Sequence, residues 1–297
     1  MYNLVQINCK ICGNDKTKFL GIRGNKEYLG AEDINESADH IVTNVVKCLK
    51  CGFIFTNPLI ICKTGAYQDT NDYAASSNDR QEALFTFTLN TIEQYIKSGK
   101  ILDIGCGKGE FLSLAKKRGW EIFGLEPSKG FAEFVSKNYG LNIASKPLEE
   151  AGYQDSFFDV VVLNMVLEHI DEPRKMLGII ARILKKNGIL FIEVPNMESL
   201  MLKTAVLYFK LKGKKWSPFL SPLHPPFHSY GYNISSLGYL LTKEKFRIKK
   251  TLIRDSSFGF RKDGMGFYFE KFCRAVITKF AGFIGQGDIL IAIAQKE

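Results

Sequence analysis

The chain has 297 residues, 45% of them hydrophobic and 12% aromatic, and 40 Lys plus Arg against 31 Asp plus Glu give a formal charge of +9. This composition excludes a disordered chain, and no uncharged apolar run reaches the ~18 residues of a membrane span, so a cytoplasmic protein is expected. The basic surplus sits in the last third, where Ser199 to Glu297 hold 17 Lys plus Arg against 6 Asp plus Glu, an excess of 11 that leaves −2 for residues 1–198.

The N-terminus, MYNLVQINCKIC, lacks the basic-then-apolar pattern of a secretory signal. Its Cys9-Lys10-Ile11-Cys12-Gly13 and the later Cys48-Leu49-Lys50-Cys51-Gly52 form two C-x-x-C knuckles. Two residues between thiols let both sulfurs face one ion, and Cys9, Cys12, Cys48 and Cys51 together make a tetrahedral zinc site with no open position, hence structural. Closing the loop between the knuckles costs about 3 kcal/mol in chain entropy, against roughly 10–16 kcal/mol for structural zinc in finger peptides. Redox-active or metal-free thiols are the alternative, and His40 and Cys62 are substitute ligands. Short strands over 42–46 and 53–55 flank the second knuckle, and Asn57-Pro58 ends the module. A polar linker with Tyr67 and Tyr73 leads to a helix over 79–97, whose apolar face is Leu84, Phe85, Thr88, Ile92, Tyr95 and Ile96.

Residues 100–128, KILDIGCGKGEFLSLAKKRGWEIFGLEPS, read as strand, glycine turn, helix and second strand. The first strand carries Asp103, the turn holds Gly105, Gly107 and Gly109, and the second strand ends on Glu126, twenty-one residues after Gly105. Glycine lets the backbone turn tightly beside a ligand, and an acidic tip on the next parallel strand can accept bonds from two ribose hydroxyls. The dinucleotide fingerprint is a poor match: the place of its third glycine is taken by Glu110, whose carboxylate opposes a pyrophosphate.

D-x-G-x-G-x-G with a downstream acid resembles the cofactor loop of class I S-adenosylmethionine-dependent methyltransferases, whose ligand has a positive sulfonium and no phosphate. The resemblance implies a Rossmann-like α/β fold with a seven-stranded, mostly parallel sheet and an antiparallel last strand. It also places Asp103, Gly105 and Gly107 at the methionine end of S-adenosylmethionine.

Ser128 caps a helix through Asn138, and 141–144 is a third strand. The turn Pro147-Leu148-Glu149-Glu150 follows; in the family it borders the adenine, which makes Leu148 a cofactor contact. Phe158 to Asn164 is a buried parallel strand. Its Asn164 and the turn Val166-Leu167-Glu168-His169 lie at the carboxyl edge, where ligands of doubly wound sheets bind. The string FDVVVLNMVLEHIDEP resembles the family's fourth-strand motif. Pro173 opens a helix that Asn187-Gly188 ends, and 189–194 is a fifth strand.

Beyond Met197, an apolar helix over 200–211 runs into Lys210, Lys212, Lys214, Lys215 and Trp216, a basic and aromatic end that suits a membrane interface or an anionic substrate. A solvated helix end followed by a lid loop is the plainer reading. A helix over 235–243, a strand over 246–253, a helix over 267–283 and a strand over 288–294 match the hairpin that finishes the family's sheet. Cys273 reads as a core residue of that last helix.

Removing a proton from a hydroxyl or weakly acidic carbon calls for a base, and histidine suits neutral pH. His169 and His228 are the candidates by position. The segment 226–241 resembles a stretch of methyltransferases from sugar and cell-surface polysaccharide pathways, some of which share a four-cysteine zinc module. That likeness implies His228 as base with Tyr230 or Tyr232 as helper. The chain departs from it in Ser229-Tyr230-Gly231-Tyr232, where the family commonly has adjacent aromatics.

The expected organisation is a zinc-ribbon module over 1–60, a linker and helix over 61–98, and a methyltransferase domain over 99–297 with a substrate lid at 197–233. The expected activity is methyl transfer to an O or C centre of an activated or polymer-linked sugar, or a related small metabolite, with S-adenosylmethionine as cofactor and structural zinc. An anionic acceptor is the expected partner. A base methyltransferase acting on RNA and a catalytically silent binding protein are the alternatives.

Overall fold

The computed structural model describes residues 2–24, 41–62, 79–141, 143–223, 228–255, 281 and 284–297. The chain divides into two compact units, one of Met1–Ile61, Val194–Leu240 and Thr251–Ile291, the other of Cys62–Glu193, Leu241–Lys250 and Ala292–Glu297. The strands of the first part are β1 (Tyr2–Val5), β2 (Thr17–Gly24), β3 (Val42–Cys48), β4 (Ile54–Asn57) and β5 (Leu59–Cys62). Then come α1 (Asp79–Ile92), β6 (Lys100–Ile104), α2 (Glu110–Lys117), β7 (Glu121–Leu125), α3 (Lys129–Tyr139), β8 (Phe158–Asn164), α4 (Pro173–Ile183) and β9 (Leu184–Pro195). The chain closes with α5 (Leu200–Leu211), β10 (Tyr230–Gly231), α6 (Ile234–Lys243), β11 (Phe246–Arg254) and β12 (Ile289–Lys296).

In the second unit, β6 is paired in parallel with both β7 and β8, and β9 is parallel to β8. Val160 to Leu163 are fully buried, as the unbroken apolar run of β8 requires of a strand covered on both faces. Phe111, Leu112 and Ala115 turn one face of α2 inward, and Met176, Leu177, Ile180 and Ile183 do the same for α4, which has Pro173 in its first turn. Ser128 Oγ accepts the Phe131 N–H at 3.5 Å, so the predicted cap of α3 is present.

The six-stranded sheet has the order β11-β12-β9-β8-β6-β7. The Asn196 N–H donates to Asp288 O (2.8 Å) at one end, and Gln295 Nε2 to Asn187 O (3.1 Å) at the other. Those two contacts make β12 antiparallel to β9. Among the described residues of the third strand expected over 141–144, Ala144 forms a parallel bridge with Leu125 on the outer edge of β7. Pro147 follows closely and has no N–H with which to extend such a ladder. The helix expected over 79–97 ends at Ile92, where Glu93 turns to accept bonds from Arg118 (2.9 Å) and Trp120 (3.2 Å). The expected strand over 189–194 is longer and starts directly after α4.

The first unit holds a four-stranded sheet, β10-β4-β3-β2, and the pair β1-β5. Asn57-Pro58 does not end the module, because β5 follows at once. Val45, Ile54, Met197 and Leu220 form a buried cluster. The expected lid segment is joined to the cysteine module here: Tyr230 and Gly231 pair with Phe55 and Ile54, and Ile22 exchanges backbone bonds with Lys215 and Ser217. Asn233 Nδ2 donates to Gly52 O (3.1 Å) and Glu198 Oε1 (3.2 Å), and Glu198 pairs with Lys47 at 3.4 Å.

His40, Tyr67, Tyr73, Cys273 and most of the helix expected over 267–283 lie outside the described residues. Among the described residues no helix is long and apolar enough to cross a membrane.

Candidate functional site

The parallel register of the second unit brings the carboxyl ends of β6, β7, β8 and β9 to one edge: Asp103 lies level with Gly124 and Val162, and Asn164 with Glu193. The chain leaves β6 through Gly105, Gly107 and Gly109, at φ +73°, +49° and +73°. The Gly105 and Cys106 N–H groups donate to Leu125 O at 2.7 and 3.0 Å, and the Gly109 N–H donates to Cys106 O at 2.9 Å. A Cβ on Gly109 would sit 2.8 Å from Val135 Cγ1, whereas one on Gly107 would meet no atom within 4 Å. Gly109 is therefore required by packing, and Gly107 opens space beside the loop.

Glu126 is gripped by backbone alone. Its Oε2 accepts the Gly107 N–H and its Oε1 the Ser128 N–H, both at 2.9 Å. Burial raises its carboxyl above the usual carboxylate range, and the two N–H donors oppose that rise. Each oxygen keeps a further lone pair, so the carboxylate can still accept a pair of vicinal hydroxyls. Asp103 is buried with Oδ1 unpartnered among the described residues, and Asn164 Oδ1 is in the same condition. Burial, with the Glu126 charge adding, pushes the Asp103 carboxyl well up. A cationic or hydroxyl-bearing ligand would offset the cost of these orphaned acceptors.

Leu148 is buried in the short turn Leu148–Glu150. The turn after β8 holds Glu168, which is buried, and His169, which is half-buried. Burial, with a smaller contribution from Glu193, pushes the Glu168 carboxyl up to about 8. The sequence places Glu168 in the turn at the carboxyl edge without giving it a role, and it does not single out Glu193. The available signal was an acidic residue inside an apolar run, in FIEVP and VLEH.

His228, Tyr230 and Tyr232 belong to the first unit. His228 is half-buried, with its carbonyl accepting the Ser221 N–H at 3.1 Å. Tyr230 and Tyr232 are fully enclosed, their ring centroids 5.8 and 5.0 Å from that of Phe53. Both rings thus pack against the cysteine module.

In that module the Sγ atoms of Cys9, Cys12, Cys48 and Cys51 all lie within 4.8 Å of one another. Cys9–Cys51 and Cys12–Cys48 are each 3.5 Å apart, far beyond a disulfide of ~2.05 Å and close to the ~3.8 Å edge of a tetrahedron with ~2.3 Å metal–sulfur bonds. A hydrogen bond from Cys51 pulls the Cys9 thiol down to about 5 and raises that of Cys51, and burial raises Cys12 to about 11. One thiolate thus shares its neighbours' protons. A divalent cation would displace those protons and hold all four sulfurs.

The family model described as methyltransferase domain matches residues 77–243, more than half of the chain. An uncharacterised protein of Methanocaldococcus jannaschii is 30% identical over 125 residues, 42% of this chain and 58% of that protein. A ubiquinone biosynthesis O-methyltransferase of Pelagibacter ubique is 30% identical over 121 residues, 39% of this chain and 50% of that enzyme. The chain thus spans only about half the length of these curated relatives. A crystal structure of a SAM-dependent methyltransferase from Archaeoglobus fulgidus superposes with a TM-score of 0.51 at 22% identity, covering 73% of this chain and 94% of that one, a likeness of fold.

Proposed function

The chain belongs to the methyltransferase-domain family, and on that premise we propose that it transfers the methyl group of S-adenosylmethionine to an O or C centre of an activated or polymer-linked sugar or related small metabolite. The observation that carries the cofactor reading is the carboxyl-edge constellation: Gly107 beside open space, Glu126 oriented by backbone, and Asp103 Oδ1 buried without a partner. S-adenosylmethionine brings an electrophilic methyl on a positive sulfonium, ready for in-line displacement. Glu126 would accept the ribose hydroxyls through the lone pairs that the Gly107 and Ser128 N–H groups leave free. A cationic ligand group beside Asp103 would favour its charged form against the burial that raises its carboxyl. Gly107 lets the backbone approach, Gly105 and Gly109 let the loop pack on Val166 and Val135, and Leu148 and Asn164 complete the binding edge.

His228 is the proposed proton acceptor, with His169 bracing its turn. Cys9, Cys12, Cys48 and Cys51 hold one Zn²⁺ whose role is structural, since four thiolates leave no position for substrate. The sugar-pathway acceptor is supported by the likeness of 226–241 and by the cysteine module. Relatives named as O-methyltransferases favour oxygen over carbon as the atom methylated.

Titration calorimetry of the zinc-loaded protein with S-adenosylmethionine is the test, and saturable one-to-one binding is expected. An absence of binding refutes the proposal. His228→Ala turnover near that of the wild type removes that residue as the base.

A further inference from the structure

Helix α5, LMLKTAVLYFKL, has Lys203, Thr204 and Lys210 as its only polar residues, yet Phe209 is its one buried side chain. An exposed apolar helix face is ordinarily covered by protein or lipid. Phe209 faces the body of the first unit, its ring centroid 4.5 Å from that of Trp216, over which Arg23 lies at 4.2 Å. At about 100° per residue the opposite side of the helix carries Leu200, Leu207 and Leu211. Leu207 and Leu211 are 56% and 79% exposed, and the adjacent Tyr208 is 56% exposed.

The charge around that face has one sign. Lys203 and Lys210 flank it, Lys212, Lys214 and Lys215 follow the helix, and no Asp or Glu occurs between Ser199 and Lys243. Lys203 Nζ donates to Gln286 Oε1 at 2.9 Å. Among the described residues Lys210, Lys212 and Lys215 enter no ion pair.

We propose that α5 docks the protein on an anionic membrane surface, laying Leu207 and Leu211 into the headgroup–acyl boundary while Lys203, Lys210, Lys212 and Lys215 meet lipid phosphates. Twelve residues make a helix of ~18 Å, too short for the ~30 Å hydrocarbon core, so α5 lies in the interface plane. An RNA backbone would satisfy the lysines and leave the leucines in water. A second copy of the chain would bring a like lysine cluster against this one and repel it.

The test is co-sedimentation of the full, zinc-loaded chain with phosphatidylcholine vesicles, with and without phosphatidylglycerol. Binding to the anionic vesicles is expected to exceed binding to neutral ones by about tenfold or more and to weaken as salt screens the lysines. Leu207→Ser/Leu211→Ser alters only exposed side chains and should lower vesicle partition by about tenfold or more at unchanged circular dichroism. Lys210→Gln/Lys215→Gln should flatten the salt dependence. No binding, equal binding to neutral vesicles, or binding indifferent to the leucine substitutions overturns the proposal. So does a dimer in sedimentation velocity that the leucine substitutions dissolve, or tight salt-sensitive RNA binding that they leave intact.

Discussion

Replacing Gly107 and Gly109 separately by alanine distinguishes a glycine needed by the fold from one needed by the ligand. Both hold a left-handed backbone, which costs an alanine about 1–2 kcal/mol. At Gly107 that is the whole cost, because the new methyl meets no protein atom within 4 Å. At Gly109 the methyl lands 2.8 and 2.9 Å from the two methyls of Val135, and such overpacking adds about 1–3 kcal/mol, for a total of about 2–5 kcal/mol. Urea denaturation of the two variants should therefore show a small loss for Gly107→Ala and a loss two to three times larger for Gly109→Ala. A double-mutant cycle of Gly109→Ala with Val135→Ala should return a coupling of about 1–3 kcal/mol. Calorimetry with S-adenosylmethionine should show the reverse emphasis for Gly107→Ala, whose methyl fills the space beside the loop: affinity falls at least about tenfold, or ~1.4 kcal/mol. Wild-type affinity in Gly107→Ala would place the cofactor elsewhere. Wild-type stability in Gly109→Ala would refute the packing of α3 on the loop.

Glu168 carries a pH signature, since its carboxyl rises from 4.5 to about 8 in the folded chain. Between those values the native state holds a proton that the unfolded state has released, so stability should fall by a few kcal/mol as pH rises through the window. Glu168→Gln should flatten that slope in denaturation midpoints measured from pH 5 to 9, and parallel profiles would refute it. Metal analysis should find one zinc per chain, and stripping it with a chelator or by Cys9→Ser should lower unfolding stability by several kcal/mol; an unchanged midpoint would exclude a structural ion. Tyr230→Ala should destabilise by about 3–5 kcal/mol through loss of the stack on Phe53, while Tyr230→Phe keeps most of the packing. A fall in turnover for Tyr230→Phe at unchanged stability would return the hydroxyl to the chemistry.

The elements legible in advance are those whose signal is local. The glycine turn into α2, the Ser128 cap, Pro173 at the start of α4 and the apolar run of β8 each depend on residues within a few positions of one another. The cysteine cluster was legible through spacing, because two C-x-x-C knuckles have few other uses. Failures lie where distant partners decide. β2 has Gly21 in its interior and a register shift between Phe19 and Gly21, so its period is broken, and pairing with β3 and the backbone bonds of Ile22 to Lys215 and Ser217 hold it extended. The strand expected over 141–144 lies at a sheet edge, where among its described residues Ala144 is the one that pairs.

What the amino-acid order determines by itself is a set of local features: a turn of glycines that adopt positive φ, an acid at the tip of the next strand, and four thiols in two pairs. These follow from backbone sterics and ligand chemistry at short range. Only the tertiary structure placed the rings of Tyr230 and Tyr232 against Phe53, and grouped the segment from 194 to 240 with the cysteine module. It also decided that α5 turns an apolar face outward and that Glu168 is buried beside a second carboxylate. Burial and pairing depend on which surfaces the remainder of the chain covers, and no local pattern of residues records that.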